Sequence, residues 1–128
     1  MIFVFGSNEC GIHGAGAARV ALEKHGAIYG QAFGRQGSSF GIPTCAKPVG
    51  RQGWEIPLSK IESYVKKFIE YAKAHPELEF QVTQIGCGFV GFFPEQIAPM
   101  FTDAPDNCLF DDEWLPYLLG KRSWGHVG

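Results

Sequence analysis

Two stretches of the chain place backbone amides where a ligand could use them. Gly6-Ser7-Asn8 leads into Gly11-Ile12-His13-Gly14-Ala15-Gly16, and a second glycine-rich run follows at Ile85-Gly86-Cys87-Gly88-Phe89-Val90-Gly91-Phe92. Glycine adopts positive φ and lets a ligand come within hydrogen-bonding distance of main-chain N–H groups. Such groups, backed by a helix N-terminus, form a cradle for an anion. Two cradles facing one cleft would suit a diphosphate. Neither loop carries the Lys-Ser/Thr ending of a Walker A loop, and the order Gly11-x-x-Gly14-x-Gly16 is not a dinucleotide fingerprint. No carboxylate pair marks a magnesium site. The expectation is therefore a diphosphate esterified at both ends, held by neutral donors and helix dipoles without metal or cofactor.

The side chains in these loops could add chemistry. Asn8 offers a donor and an acceptor, as a sugar diol requires, although asparagine after a strand also suits a plain turn. His13 could act as general acid or base on a ribose substituent, or sit in a surface loop. Cys87 lies in a tight glycine turn where a helix N-terminus would activate a thiol, but the Gly-x-Cys-x-Gly spacing of a nucleophile elbow is not kept. Arg35 and Gln36 read as a solvated loop within reach of phosphate, and Asp111 and Asp112 as solvated surface. Trp54 and Phe110 read as core or rim. Cys10, Cys45, Cys87 and Cys108 form no C-x-x-C pair, and His13, His25, His75 and His126 are dispersed, so no zinc spacing exists.

These residues need elements to position them. The apolar run at 2–5 predicts a buried strand ending in a Gly6-Ser7-Asn8 turn. A helix over 17–25 should stop at Gly26. A short strand is expected at 40–42, and an irregular connection over 46–57 that could hold a strand at 54–56. Ser59 and Glu62 are spaced for a capping box opening a helix over 59–74, whose apolar stripe is Ile61, Val65, Phe68 and Ala72. Alternation at 80–85 predicts a strand running into the second loop, and Pro94 suits the start of a short helix over 94–101. A strand at 108–110, a helical turn to Leu119 and a loose tail at 121–128 complete the reading. Strand, glycine loop and helix thus recur twice, the pattern of an α/β domain, whose ligands sit at the carboxyl ends of strands.

With 128 residues, 45% hydrophobic and 19% charged, the chain reads as one domain, 1–128. Its 17 glycines far exceed the usual share of about 7%. A net charge of −2 without a basic block argues against duplex nucleic acid or a membrane surface as partner. No apolar run approaches the roughly 18 residues that span a bilayer, and Met1-Ile2-Phe3-Val4-Phe5 does not read as a signal peptide. A cytoplasmic location is expected.

Gly6-Ser7-Asn8, His13-Gly14-Ala15-Gly16-Ala17-Ala18, Gly41-Ile42-Pro43-Thr44 and the run from Ile85 to Phe92 resemble, in their order and spacing, the macro domain family. The likeness spans residues 2 to about 110 and is strongest to small phage and bacterial members. It implies a three-layer α/β/α sandwich with a mixed, largely parallel sheet that binds ADP-ribose or a derivative. By position, Asn8 would orient the distal ribose. Gly6, Ser7 and His13 through Gly16 would meet ribose and phosphate, and Gly86, Cys87, Gly88, Phe89, Val90 and Gly91 would cradle the diphosphate, with Phe92 beside the ribose. His13 and Asn8 become the catalytic candidates for hydrolysis at the distal ribose, of an ADP-ribosyl ester or a 1″-phosphate. The branch that removes ADP-ribose from proteins has Asp where Val90 stands, and valine cannot serve as acid, base or nucleophile. No residue is assigned to the adenine amino group. Two alternatives stand beside hydrolysis: a non-catalytic reader or sequestering protein for such nucleotides or ADP-ribosylated proteins, and a Cys87-dependent acyl hydrolase.

Overall fold

A computed structural model describes residues 1–126. Six strands form one sheet: β1 (Ile2–Asn8), β2 (Gly34–Gln36), β3 (Ser39–Cys45), β4 (Phe80–Val82), β5 (Cys108–Asp111) and β6 (Arg122–Gly125). Their order is β2-β3-β1-β4-β5-β6. All pairings are parallel except β2 with β3, so the fold is α/β with a mixed, mostly parallel sheet. Three helices accompany it, α1 (Gly16–Lys24), α2 (Leu58–Ala74) and α3 (Pro94–Ile97), with 3-10 turns at Ala98–Phe101 and Asp112–Tyr117.

The β1 strand carries side chains of both cores. Phe3 and Phe5 pack with Ala18 and Ala21 of α1. Ile2 and Val4 join the larger cluster with Ile61, Val65, Phe68 and Ala72 of α2. Successive strand residues point to opposite faces, so the two helices cover opposite faces of β1. In the larger core the Phe68 ring meets Phe40 and Phe80 edge-on, with centroids 5.1 and 5.3 Å apart. Burying so many apolar rings at about 25 cal/mol per Å² makes α2 the principal brace of the sheet.

Several boundaries differ from the sequence reading. Gly6, Ser7 and Asn8 are not a turn. They extend β1, paired against Ile42, Pro43 and Cys45 of β3, with a register shift between Ser7 and Asn8. The β3 strand is longer than 40–42 and includes Pro43, while 54–56 forms no strand. The β4 strand stops at Val82 rather than 85. The Ser59–Glu62 capping box is absent: Pro57 is the N-cap, its carbonyl accepting from the Lys60 and Ile61 N–H groups. Glu62 instead reaches Lys66, and the Ser63 hydroxyl bonds the Ser59 carbonyl. The tail 121–128 is not loose throughout. Residues 122–125 form β6 beside β5, and the Trp124 indole N–H donates to the Val82 carbonyl at 2.8 Å; 127–128 lie outside the described residues. Among the described residues no helix is long and apolar enough to cross a membrane.

Candidate functional site

The β1, β3 and β4 strands end on the same edge of the sheet, and both glycine loops leave from that edge. They line one cleft of about 710 Å³ with Gly6, Ser7, Asn8, Gly14, Ala15 and Gly16 on one side and Gly86, Gly88, Phe89 and Val90 on the other. At its floor the approach is close: a Cβ on Gly6 would lie 3.5 Å from the Gly86 nitrogen. The Thr83 hydroxyl and N–H both bond the Val4 carbonyl, which carries β4 alongside β1 into the second loop.

The first loop holds its shape through Asn8 at its start and through contacts with the connection that follows α1. The Asn8 side chain is buried and copies a strand pairing: its Oδ1 accepts from the Ile12 N–H at 3.0 Å and its Nδ2 donates to the Ile12 carbonyl at 2.8 Å. Gly11, at φ 70°, lies against the next connection, where a Cβ would sit 2.4 Å from the Gly30 carbonyl carbon. The loop ends at α1, whose N-cap is Ala15 with no side-chain cap and no acidic residue in the first turn. Alanine is among the poorest N-caps because it leaves the first N–H groups of the helix without an acceptor. Those donors border the cleft. Gly16, at φ 60°, also faces the Phe89 ring, 3.0 Å from where a Cβ would stand. The largely exposed Phe89 thus reaches from the second loop to the start of α1.

The second loop is closed at its base by Cys87 N–H to the Gln84 carbonyl and Phe92 N–H to the Gly86 carbonyl. The N–H groups of Gly88, Phe89 and Val90 have no protein acceptor among the described residues. The helix that follows contributes nothing to this cradle, contrary to the sequence expectation. Gln96 Oε1 accepts from the Phe93 N–H at 2.8 Å and closes the α3 terminus internally. Among the described residues lining the cleft, Arg51 is the one charged side chain.

Other candidates lie elsewhere. His13 is buried and does not line the cleft. Its ring meets Phe5 edge-on, and its Nε2 lies 3.2 Å from Gln36 Oε1. Gln36 Nε2 is committed as donor to the Gln31 and Gly34 carbonyls, and its Oε1 also accepts from the Ile28 N–H. The His13 proton in this bond must therefore sit on Nε2. His13 braces the loop from the interior, and its Nδ1 is buried without a hydrogen-bond partner among the described residues. Gln36, expected in solvent, is fully buried in that brace.

Cys87 does not line the cleft either. It packs against the larger core, and burial pushes its thiol up to about 11, so the basis for a thiolate nucleophile is missing. Cys45, which does line the cleft, is likewise pushed up to about 11 by burial. Gly91 and Phe92 line a smaller adjoining cavity. Trp54 is half-buried and Phe110 fully buried. Sequence reading overlooked Arg51, whose signal was a cation between Gly50 and Gly53 in an irregular connection.

Asp111 is buried rather than solvated. His126 Nδ1 lies 3.0 Å from Asp111 Oδ1 and its Nε2 3.1 Å from Glu113 Oε1, while Gln84 at the cleft edge donates to Glu113. Burial alone would raise the Asp111 pKa, but the Glu113 N–H and His126 outweigh it and hold the carboxyl below its ordinary range. The hydrogen bond to Asp111 raises that of His126. A depressed carboxyl stabilises the fold above its unfolded pKa, and that contribution is lost as pH falls through the folded value. A raised imidazole stabilises below its unfolded pKa, and that contribution is lost as pH rises through the folded value. The anchoring of β6 to β5 is therefore strongest between the two. His126→Ala is expected to lower the urea midpoint more at about pH 5.5 than at about pH 9. Equal losses at both would show that the network holds nothing.

Comparison with protein-family models, curated proteins and solved structures finds no match for this chain.

Proposed function

We propose that the cleft binds the diphosphate of ADP-ribose or a derivative, in the manner the macro-domain resemblance implies. One observation carries this reading: two glycine loops, far apart in the chain, line a single cleft and hold N–H groups without a protein acceptor, and among the described residues Arg51 is the one charged side chain lining it. Uncapped donors at a helix start together with a lone cation suit an anion. The volume of about 710 Å³ falls within the usual range for small-molecule sites.

Binding is favoured over hydrolysis. His13 is buried and does not line the cleft, Cys87 is a half-buried thiol packed against the core with its pKa pushed up to about 11, and valine stands at position 90. The protein then acts as a reader or sequestering protein for ADP-ribosyl groups, with ADP-ribosylated protein as the natural partner. Hydrolysis at the distal ribose would need the substrate's own phosphate to activate water. Titration calorimetry should give saturable binding of ADP-ribose, and mass spectrometry should find ADP-ribose 1″-phosphate intact after incubation. Absence of ADP-ribose binding overturns the reading, and turnover of the 1″-phosphate replaces the reader with an enzyme.

A further inference from the structure

Beside the main cleft lies a second cavity of about 120 Å³ that shares Thr44 and Val90 with it and is otherwise walled by Trp54, Glu55, Ile56, Gly91 and Phe92. The two spaces make opposite electrical demands. Among the described residues, the one charged residue lining the main cleft is Arg51, whereas the one lining the annex is Glu55. Among the described residues Glu55 forms no ion pair. The Lys47 ammonium, from the same connection, donates to the Gln52 carbonyl at 3.2 Å.

A carboxylate disfavours a phosphate next to it, so the part of a ligand that enters the annex is not anionic. A carboxylate with an indole wall is the chemistry that recognises a cation: the acid gives charge-assisted hydrogen bonds and the ring face attracts positive charge. A planar guanidinium exploits both better than an ammonium, since it can stack and bond a carboxylate through two N–H groups. The annex is too small for a nucleobase with its sugar but has room for such a group.

We propose that the annex receives a guanidinium attached to the ribose end of a nucleotide whose diphosphate lies in the main cleft. The ligand class is then an ADP-ribosyl unit carried on an arginine-type side chain. The proposal rests on the diphosphate reading above and adds to it the attached group.

Calorimetry with ADP-ribose and with ADP-ribosyl-agmatine, a small guanidinium conjugate, separates the two readings. The conjugate should bind about tenfold more tightly than ADP-ribose, and Glu55→Gln should bring the ratio of the two affinities close to one. Glu55 is exposed on a loop, so the variant is expected to fold. Binding of ADP-ribose without preference for the conjugate, or a ratio unchanged in Glu55→Gln, overturns the annex proposal alone. Binding of neither compound overturns the diphosphate reading and takes this proposal with it.

Discussion

Ala15→Asp is expected to make the protein more stable and to abolish the anion binding proposed for the cleft. Ala15 already has the extended backbone of an N-cap, at φ −155° and ψ 164°, so an aspartate can accept from the open N–H groups of α1 without moving the chain. A good cap in place of alanine stabilises by about 1 kcal/mol, and its charge gains a little more from the helix dipole. The same carboxylate would occupy the donors assigned to phosphate and set a negative charge against it. ADP-ribose affinity should fall on the order of a hundredfold or more. Urea denaturation and calorimetry on one preparation check both halves. A stabilised variant that still binds ADP-ribose at full strength would remove the α1 terminus from the site. The two effects should run in opposite directions because an uncapped helix start costs the fold something while leaving donors open for the proposed ligand.

The second large effect is expected at Asn8. Removing its side chain leaves the Ile12 N–H and carbonyl, now bonded at 3.0 and 2.8 Å, without partners in a partly buried loop. Each orphaned group costs about 1–3 kcal/mol, so Asn8→Ala should destabilise by roughly 2–6 kcal/mol. Binding should be lost as well, because the loop that leads to Gly14 and Ala15 depends on this brace. Asn8→Asp retains the acceptor for the Ile12 N–H but turns an oxygen toward the Ile12 carbonyl. It should recover only part of the stability, as a thermal or urea melt would reveal. Unchanged stability with lost affinity would instead make Asn8 a direct ligand contact and dismiss its role as a brace.

These two residues mark how far local sequence carries. The order of strands and helices along the chain was legible because it depends on local patterns. The apolar run of β1, the α2 stripe of Ile61, Val65, Phe68 and Ala72, and the Gly26 stop after α1 each report burial or backbone geometry within a few residues. The placement of glycine loops at strand ends was legible for the same reason. Where a strand depends on its neighbour, sequence was silent. The Arg122–Gly125 strand has four residues and little apolar alternation, and exists because β5 offers an open edge. The β2 strand is likewise a short hairpin partner of β3.

Side-chain direction inside the loops was equally out of reach. Nothing near His13 in sequence foretells that Gln36, twenty-three residues away, would draw it into the interior. Nor does the chain near Ser59 foretell that Pro57 would start α2. Sequence by itself determined the α/β alternation and the two glycine-rich bends, since both follow from short-range burial and backbone freedom. Only the tertiary structure decided that the bends share one cleft, that Asn8 and His13 serve the loop, and that Arg51 lines this cleft while Glu55 lines the small cavity beside it. Those outcomes depend on contacts between residues remote in the chain, whose geometry exists only once the sheet has formed.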